Sequence, residues 1–125
     1  MINISLKATG IELTPAIRSY AEDKVRMLEK LINENDTSAQ ADVEIGQTTH
    51  HHHSGIIFFA EINLNVSDIH LRAVSEKDNL YAAIDEVKDE MLRQLQEHKD
   101  KKKIAMRKGG RMFKDILRGF GLGGK

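Results

Sequence analysis

Basic side chains recur along two stretches of the sequence whose apolar residues have helical spacing. Lysine and arginine neutralise phosphates, and the release of counterions that follows dominates the affinity of proteins for nucleic acids. If the exposed sides of the two predicted helices approach each other, their cations form one positive strip. The candidate phosphate-binding residues are Lys24, Arg26, Lys88, Arg93, Lys99, Lys101, Lys102 and Lys103. The alternative is that they are ordinary charges on solvated helices.

A run of four histidines is the second feature whose residue type could do chemistry. It consists of His50, His51, His52 and His53. Imidazole nitrogens bind zinc, nickel or copper. No carboxylate or further histidine stands at ligand spacing, and consecutive residues of a strand point to opposite faces. We therefore favour a solvated hairpin loop over a metal site, and we expect no metal and no other cofactor.

Catalysis finds little support in the residue types. The absence of cysteine excludes thiol nucleophiles, disulfides and zinc–thiolate clusters. The sequence GLGG at 121–124 neither follows a predicted strand nor opens a helix, as a phosphate loop requires. Acidic residues around the second predicted helix are typical of a solvated face, namely Glu86, Asp89, Glu90 and Glu97. We predict that the protein is not an enzyme.

The formal charge of zero conceals an asymmetry along the chain. Residues 1–98 hold 9 Lys/Arg and 17 Asp/Glu, whereas residues 99–125 hold 10 Lys/Arg and 2 Asp/Glu. An acidic body joined to a basic end indicates a polyanionic partner, either nucleic acid or an anionic membrane. The alternatives are that the basic end only solubilises the chain or folds back onto the acidic body.

Length and composition fit a single globular domain. The chain has 125 residues, a length that can bury one hydrophobic core. Of its residues, 40% are hydrophobic and 30% are charged, which is typical of globular proteins. Its amino terminus lacks the apolar run of a secretory signal, and no stretch approaches the ~18 apolar residues of a membrane span. We therefore expect a cytoplasmic location.

Hydrophobic periodicity predicts the element order β-α-β-β-β-α. Thr14 and Pro15 are the start signals of the first helix, which is predicted to continue to Ile32. The last three strands form an antiparallel meander with a tight turn at Ser67. Each strand has one apolar face and each helix one apolar stripe, so the predicted fold is α+β, with a four-stranded, antiparallel-rich sheet and both helices on one face. The strands are predicted at residues 2–9, 41–45, 56–66 and 69–73.

The second helix is predicted to begin within residues 75–79, where Ser75 and Asp78 resemble a capping box. Packing of this helix ends near Leu95, and the glycines at 109 and 110 end the helix itself. We assign residues 1–103 to one α+β domain and residues 104–125 to a basic, glycine-rich extension that orders only on a partner. The extension adds further candidate cations, among them Arg107, Lys108 and Arg111.

Two stretches of the chain resemble one known family. ELTPAIRSYAEDKVRMLEKL at 12–31 and NLYAAIDEVKDEMLRQLQEHKDK at 79–101 are similar to the ribosome hibernation promoting factors, also called ribosome-associated inhibitors or ribosomal subunit interface proteins. The resemblance covers residues 1–103 and implies a fold like that of the double-stranded RNA-binding domain. It also implies a noncatalytic translation inhibitor that occupies the decoding channel of the small ribosomal subunit and blocks messenger and transfer RNA.

The resemblance further implies which partners and residues take part. The partner would be the small subunit and its ribosomal RNA, not DNA, and Tyr81 would belong to the packing of the second helix. Relatives commonly carry lysine where this chain has Glu90. About 22 residues follow Lys103, too few for the dimerisation domain of long members. The alternative function is a peripheral protein whose basic tail lies on anionic lipid. The residues implied to face RNA phosphates are Lys24, Arg26, Lys30, Arg93 and Lys99.

Overall fold

The computed structural model describes residues 2–33, 36–48, 55–67 and 69–117, with residues 105–117 as backbone. The chain divides into two units, residues 1–94 and 95–125, and the last helix runs through both. The predicted order β-α-β-β-β-α is confirmed. The elements are β1 (Asn3–Thr9), α1 (Pro15–Arg26), a 3₁₀ helix (Met27–Leu31), β2 (Gln40–Thr48), β3 (Ile57–Val66), β4 (Ile69–Lys77) and α2 (Leu80–Leu117).

The four strands form one mixed sheet in the order β1-β2-β3-β4. The predicted meander is confirmed, because β2 pairs antiparallel with β3 and β3 with β4. Val66 faces Ile69 across the last pair, and Ser67 has a φ of 54°, the left-handed conformation that a tight hairpin requires. Strand β1 pairs parallel with β2, since α1 carries the chain back to the end of the sheet where β1 began.

Helix α1 begins where the sequence predicts. The Thr14 side-chain oxygen accepts a 3.2 Å hydrogen bond from the Ile17 amide, and Pro15 is the first helical residue. The α-helix ends at Arg26 and tightens into the 3₁₀ helix, so it is shorter than the predicted helix to Ile32. Tightening of the last turn is a common way for a helix to satisfy its final carbonyl groups.

The predicted start and end of the second helix are wrong. Ser75 is a buried residue of β4, and its hydroxyl donates to the Glu86 carboxylate instead of capping a helix. The cap is Asn79, whose side-chain oxygen accepts from the amides of Tyr81 and Ala82 at 2.8 and 3.2 Å. The glycines at 109 and 110 do not end the helix, because glycine lowers helix propensity by only ~1 kcal/mol and keeps its amide donor.

The hydrophobic core lies on one face of the sheet, between the strands and the two helices. Alternate strand residues are buried there, in registered layers such as Val43 beside Ile62. Polar residues occupy the other face, among them Lys7, Asp42 and Arg72. Within residues 1–94, both helices therefore turn their outer sides to solvent. The largest fully buried side chains are Val25, Leu28, Ile45, Ile62, Leu64, Val87 and Met91.

Candidate nucleic-acid interface

Four side chains join α1 to α2, and we call this group the seam: Tyr20, Lys24, Tyr81 and Asp85. A spacing of four residues places the two members from each helix on one side of that helix. The Tyr20 hydroxyl donates a 2.7 Å hydrogen bond to Asp85, and the two tyrosine rings meet edge-on at 4.8 Å between centroids. Tyr20 therefore joins the helices by a polar contact, through its hydroxyl, as well as by the packing of its ring.

The charge of Lys24 is partly offset within the seam. Its ammonium nitrogen lies 3.6 Å from the Asp85 carboxylate and 5.2 Å from the centroid of the Tyr20 ring. The hydrogen bond to Asp85, together with partial burial, raises the pKa of the Tyr20 hydroxyl. Tyr20 thus keeps its proton as a donor at neutral pH, which holds Asp85 in place between the two helices.

Arg26 and Lys30 lie apart from the seam. Arg26 follows Lys24 by two residues, which is about 200° around the helix, and its guanidinium lies 3.8 Å from the Glu29 carboxylate. The same Glu29 oxygen accepts a 2.8 Å hydrogen bond from the Ile2 amide, so Glu29 also anchors the start of the chain. Lys30 is exposed on the 3₁₀ helix.

The two candidate cations of α2 within residues 1–94 lie on different sides of that helix. Lys88 follows Asp85 by three residues and lies about 60° from it around the helix, whereas Arg93 lies about 140° from Lys88. The Lys88 side chain is only 12% exposed, and its ammonium lies 2.7 Å from Asp89. The Arg93 guanidinium donates two hydrogen bonds to Glu90, at 2.9 and 2.5 Å. The structure therefore does not bring Arg93 together with Lys24.

Glu90 is the centre of a small polar network. Its carboxylate also accepts from the Gln94 amide at 3.0 Å, and that amide donates to the Arg72 carbonyl oxygen of β4 at 3.0 Å. The hydrogen bonds from Arg93, then from Gln94, lower the pKa of Glu90 from 4.5 to about 2. Glu90 therefore stays charged across the physiological range and offsets the charge of Arg93.

Glu86 has a similar structural task. It accepts from the Ser75 hydroxyl, and its second oxygen lies 3.1 Å from the Lys77 ammonium. The Ser75 hydrogen bond, followed by that from Lys77, lowers the pKa of Glu86. The sequence pattern predicted a solvated acidic face here, but Glu86 and Glu90 both belong to contacts that tie α2 to β4.

Exposed lysines lie in the unit formed by residues 95–125. This unit holds 10 Lys/Arg and 3 Asp/Glu, and all four lysines between 99 and 103 are exposed. Those lysines are Lys99, Lys101, Lys102 and Lys103. Helix α2 also includes Arg107, Lys108 and Arg111, for which the structure describes the backbone and not the side chains.

The candidate cations therefore fall into two groups. In the first group, each cation has a carboxylate oxygen within 4 Å; its members are Lys24, Arg26, Lys88 and Arg93. The second group consists of the lysines at 99–103, which are exposed on the basic part of the chain. The sequence contains a signal for two of these ion pairs, the i,i+3 spacing of Glu29 after Arg26 and of Arg93 after Glu90. The Lys24–Asp85 pair spans 61 positions, so no local pattern reveals it.

Neither a metal-binding cluster nor a membrane-spanning helix occurs among the described residues. There, no three His, Asp or Glu side chains stand close enough together to hold a metal ion. The histidines at 50–53 lie outside the described residues, and the loop predicted for them stays a prediction. None of the helices in the described ranges has the length and apolar character needed to cross a bilayer.

The arrangement of elements is shared with two solved structures. The N-terminal domain of Thermus thermophilus Protein Y superposes with a TM-score of 0.65 at 28% identity, over 77% of this chain and 98% of that domain. A ribosomal subunit interface protein from Coxiella burnetii has the same fold, with a TM-score of 0.59 at 19% identity over 80% of this chain and 99% of that one. The fold is thus that of a small α+β domain that both of these proteins share.

The chain belongs to the family described as Sigma 54 modulation protein / S30EA ribosomal protein, whose model matches residues 2–103. The ribosome hibernation promotion factor of Bacillus subtilis is 28% identical over 109 residues, covering 87% of this chain and 54% of that protein. The factor of the same name from Staphylococcus aureus is 30% identical over 99 residues, covering 79% and 49%. The family resemblance is confirmed, and the chain spans about half the length of the curated relatives it matches.

Proposed function

We propose that the protein is a ribosome hibernation factor that binds the small subunit in its decoding channel and keeps messenger and transfer RNA out. The observation that carries this proposal is the family match over residues 2–103, which includes the seam and the exposed lysines. In this role the protein performs no chemical step, because occupancy of the channel is itself the inhibition. A ribosomal partner would also place it in the cytoplasm.

The charge distribution suggests how the two units share the binding. Residues 95–125 supply a surplus of cations that attracts ribosomal RNA through its phosphates. Residues 1–94 hold 9 Lys/Arg and 16 Asp/Glu, so they bring shape and a few placed contacts more than attraction. Lys24, Arg26 and Arg93 would exchange their carboxylate partners for phosphates on binding. Their contributions to affinity are therefore smaller than those of the exposed lysines.

The membrane-surface function predicted as the alternative gains no support from the comparisons. The matched family, both hibernation promotion factors and the Coxiella burnetii structure are all named for ribosomes. Anionic lipid would still attract a basic helix through the same electrostatics. A test of the proposal therefore needs lipid as a parallel arm.

Cosedimentation of the protein with ribosomal particles tests the proposal. Small subunits and intact ribosomes should carry the protein into the pellet, whereas isolated large subunits and vesicles of phosphatidylserine and phosphatidylcholine should not, at the same ionic strength. Replacing Lys101, Lys102 and Lys103 by Glu should abolish the pelleting with small subunits. The matched control changes three acidic residues on the face of the sheet opposite the helices, Asp42, Glu44 and Glu76, to Asn or Gln. Pelleting with vesicles alone would contradict the proposal.

A further inference from the structure

Tyr81 is an aromatic residue that the fold leaves accessible. It stands in the first turn of α2, and 41% of its surface is exposed, although a tyrosine that only packs a helix would be expected to lose most of that exposure. Its contact with Tyr20 is perpendicular, with an angle of 89° between the rings. One perpendicular neighbour can cover at most one face of a ring, so this contact leaves aromatic surface open to a ligand.

The seam holds the Tyr81 ring in a fixed orientation. Tyr20, against which it packs, is itself fixed by the 2.7 Å hydrogen bond to Asp85. The Tyr81 backbone is fixed as well, because its amide donates to the Asn79 cap at 2.8 Å. A ring that is already ordered loses little conformational entropy when a flat ligand stacks on it.

The seam also contains a cation. The Lys24 ammonium is 5.2 Å from the centroid of the Tyr20 ring, and that centroid is 4.8 Å from the centroid of Tyr81, so the cation lies at most about 10 Å from the Tyr81 ring. An exposed aromatic ring beside a lysine matches the two parts of a nucleotide, because a base stacks on the ring while the cation takes the neighbouring phosphate. Double-helical RNA offers no open base face, so the arrangement fits an unpaired nucleotide.

We propose that Tyr81 is a stacking platform for one unpaired nucleobase of the bound RNA, with Lys24 as the contact to the adjacent phosphate. The inference rests on the proposed function and adds a base contact to the phosphate contacts described above. It reassigns Tyr81, which the family resemblance placed in the packing of the second helix. Stacking is tolerant of base identity, so the contact positions the protein without reading sequence.

Small-subunit affinity of three Tyr81 variants tests the inference. Tyr81→Phe keeps the ring and should bind as the unmodified protein does. Tyr81→Leu keeps an apolar side chain of good helix propensity but no ring, and its affinity should fall at least about fivefold. Tyr81→Trp should restore or exceed the original affinity, since a larger ring stacks as well. The control is Val74→Ala, which removes exposed apolar surface from the opposite face of the sheet, where 45% of Val74 is exposed, and should change nothing.

The salt dependence separates stacking from charge. The Tyr81→Leu loss should be the same at every salt concentration, whereas Lys24→Gln should reduce the slope of log affinity against log salt, by less than the roughly 0.7 to 0.9 of a full phosphate contact because Asp85 offsets its charge. Equal affinity of the Leu and Phe variants would overturn the inference while leaving ribosome binding intact. The inference would also be overturned if the Tyr81→Leu variant, but not the Tyr81→Phe variant, had a lower melting temperature, and if the Leu variant regained full affinity at a temperature where both variants are folded. No binding by the unmodified protein would instead refute the proposed function.

Discussion

The Tyr20 hydroxyl donates a 2.7 Å hydrogen bond to the Asp85 carboxylate, joining α1 to α2 across 65 positions of sequence. The bond fixes the Tyr20 ring against Tyr81, and it holds a carboxylate 3.6 Å from the Lys24 ammonium. The same contact therefore stabilises the helix pair and limits the charge that Lys24 presents to a phosphate. Stability and electrostatics can be separated by substitutions in this pair.

Tyr20→Phe removes the hydroxyl and keeps the ring. We expect a loss of about 1 kcal/mol in the free energy of unfolding at pH 7, measured by urea denaturation, because Asp85 keeps partial access to water. Since Asp85 raises the pKa of Tyr20, the loss should be constant below pH 10 and should shrink as the pH rises through the folded-state pKa. Equal stability of the two proteins at pH 7 would contradict a stabilising role for this bond.

Glu90→Gln tests the network around Arg93. Because hydrogen bonds from Arg93 and Gln94 depress the pKa of Glu90 from 4.5 to about 2, its contribution to stability is present above pH 4.5 and is lost as the pH falls towards 2. The Gln variant should therefore be less stable by under about 1 kcal/mol at pH 7 and equally stable near pH 2. Urea denaturation at several pH values measures this difference.

The control for that prediction is Glu12→Gln, which makes the same change of charge at an exposed residue ahead of α1. It should change the free energy of unfolding at pH 7 little, as is usual for a substitution at an exposed residue. Glu90→Gln should also bind small subunits more tightly than the control, because it removes the negative charge beside Arg93. A difference in stability that persists unchanged to pH 2 would show that the Glu90 charge is not its cause.

Neutralising the exposed lysines of α2 should flatten the salt dependence of ribosome binding. Each phosphate contact contributes roughly 0.7 to 0.9 to the slope of log affinity against log salt, so replacing the four lysines at 99–103 by Gln should reduce the slope by up to about 3. The matched comparison replaces four cations of residues 1–94 by Gln, namely Lys24, Arg26, Lys88 and Arg93. These have carboxylate partners, so their loss should reduce the slope less. The reverse order would contradict the assignment of electrostatic attraction to residues 95–125.

The elements of the fold follow from local patterns, and the exceptions have identifiable causes. Alternate burial along β2 and β3 reflects the two-residue period of a strand, which the sequence displays directly. The S-x-x-D pattern at Ser75 misplaces the start of α2, because Ser75 finds a partner in Glu86, eleven residues away, and β4 continues to Lys77. The parallel pairing of β1 depends on the path of a crossover, which no short pattern encodes.

The candidate site is harder to predict from the sequence than the fold is. Cation types and helical spacing are sufficient to nominate Lys24 and Arg93, but the sides of the helices on which they lie depend on tertiary contacts. The carboxylates that offset these cations include Asp85, on another element, and that pairing appears only when the helices are packed. The family resemblance placed Tyr81 in the packing of α2, and a resemblance does not report that 41% of this residue stays exposed.

Competition with transfer RNA on the small subunit tests the central claim most directly. Labelled protein would be bound to small subunits at fixed ionic strength and titrated with transfer RNA in the presence of messenger RNA. The apparent affinities of the protein and of transfer RNA would each be measured in the presence of the other. If the protein occupies the decoding channel, transfer RNA should displace the protein, and saturating protein should abolish transfer RNA binding. Simultaneous binding of both, with affinities unchanged, would contradict the account.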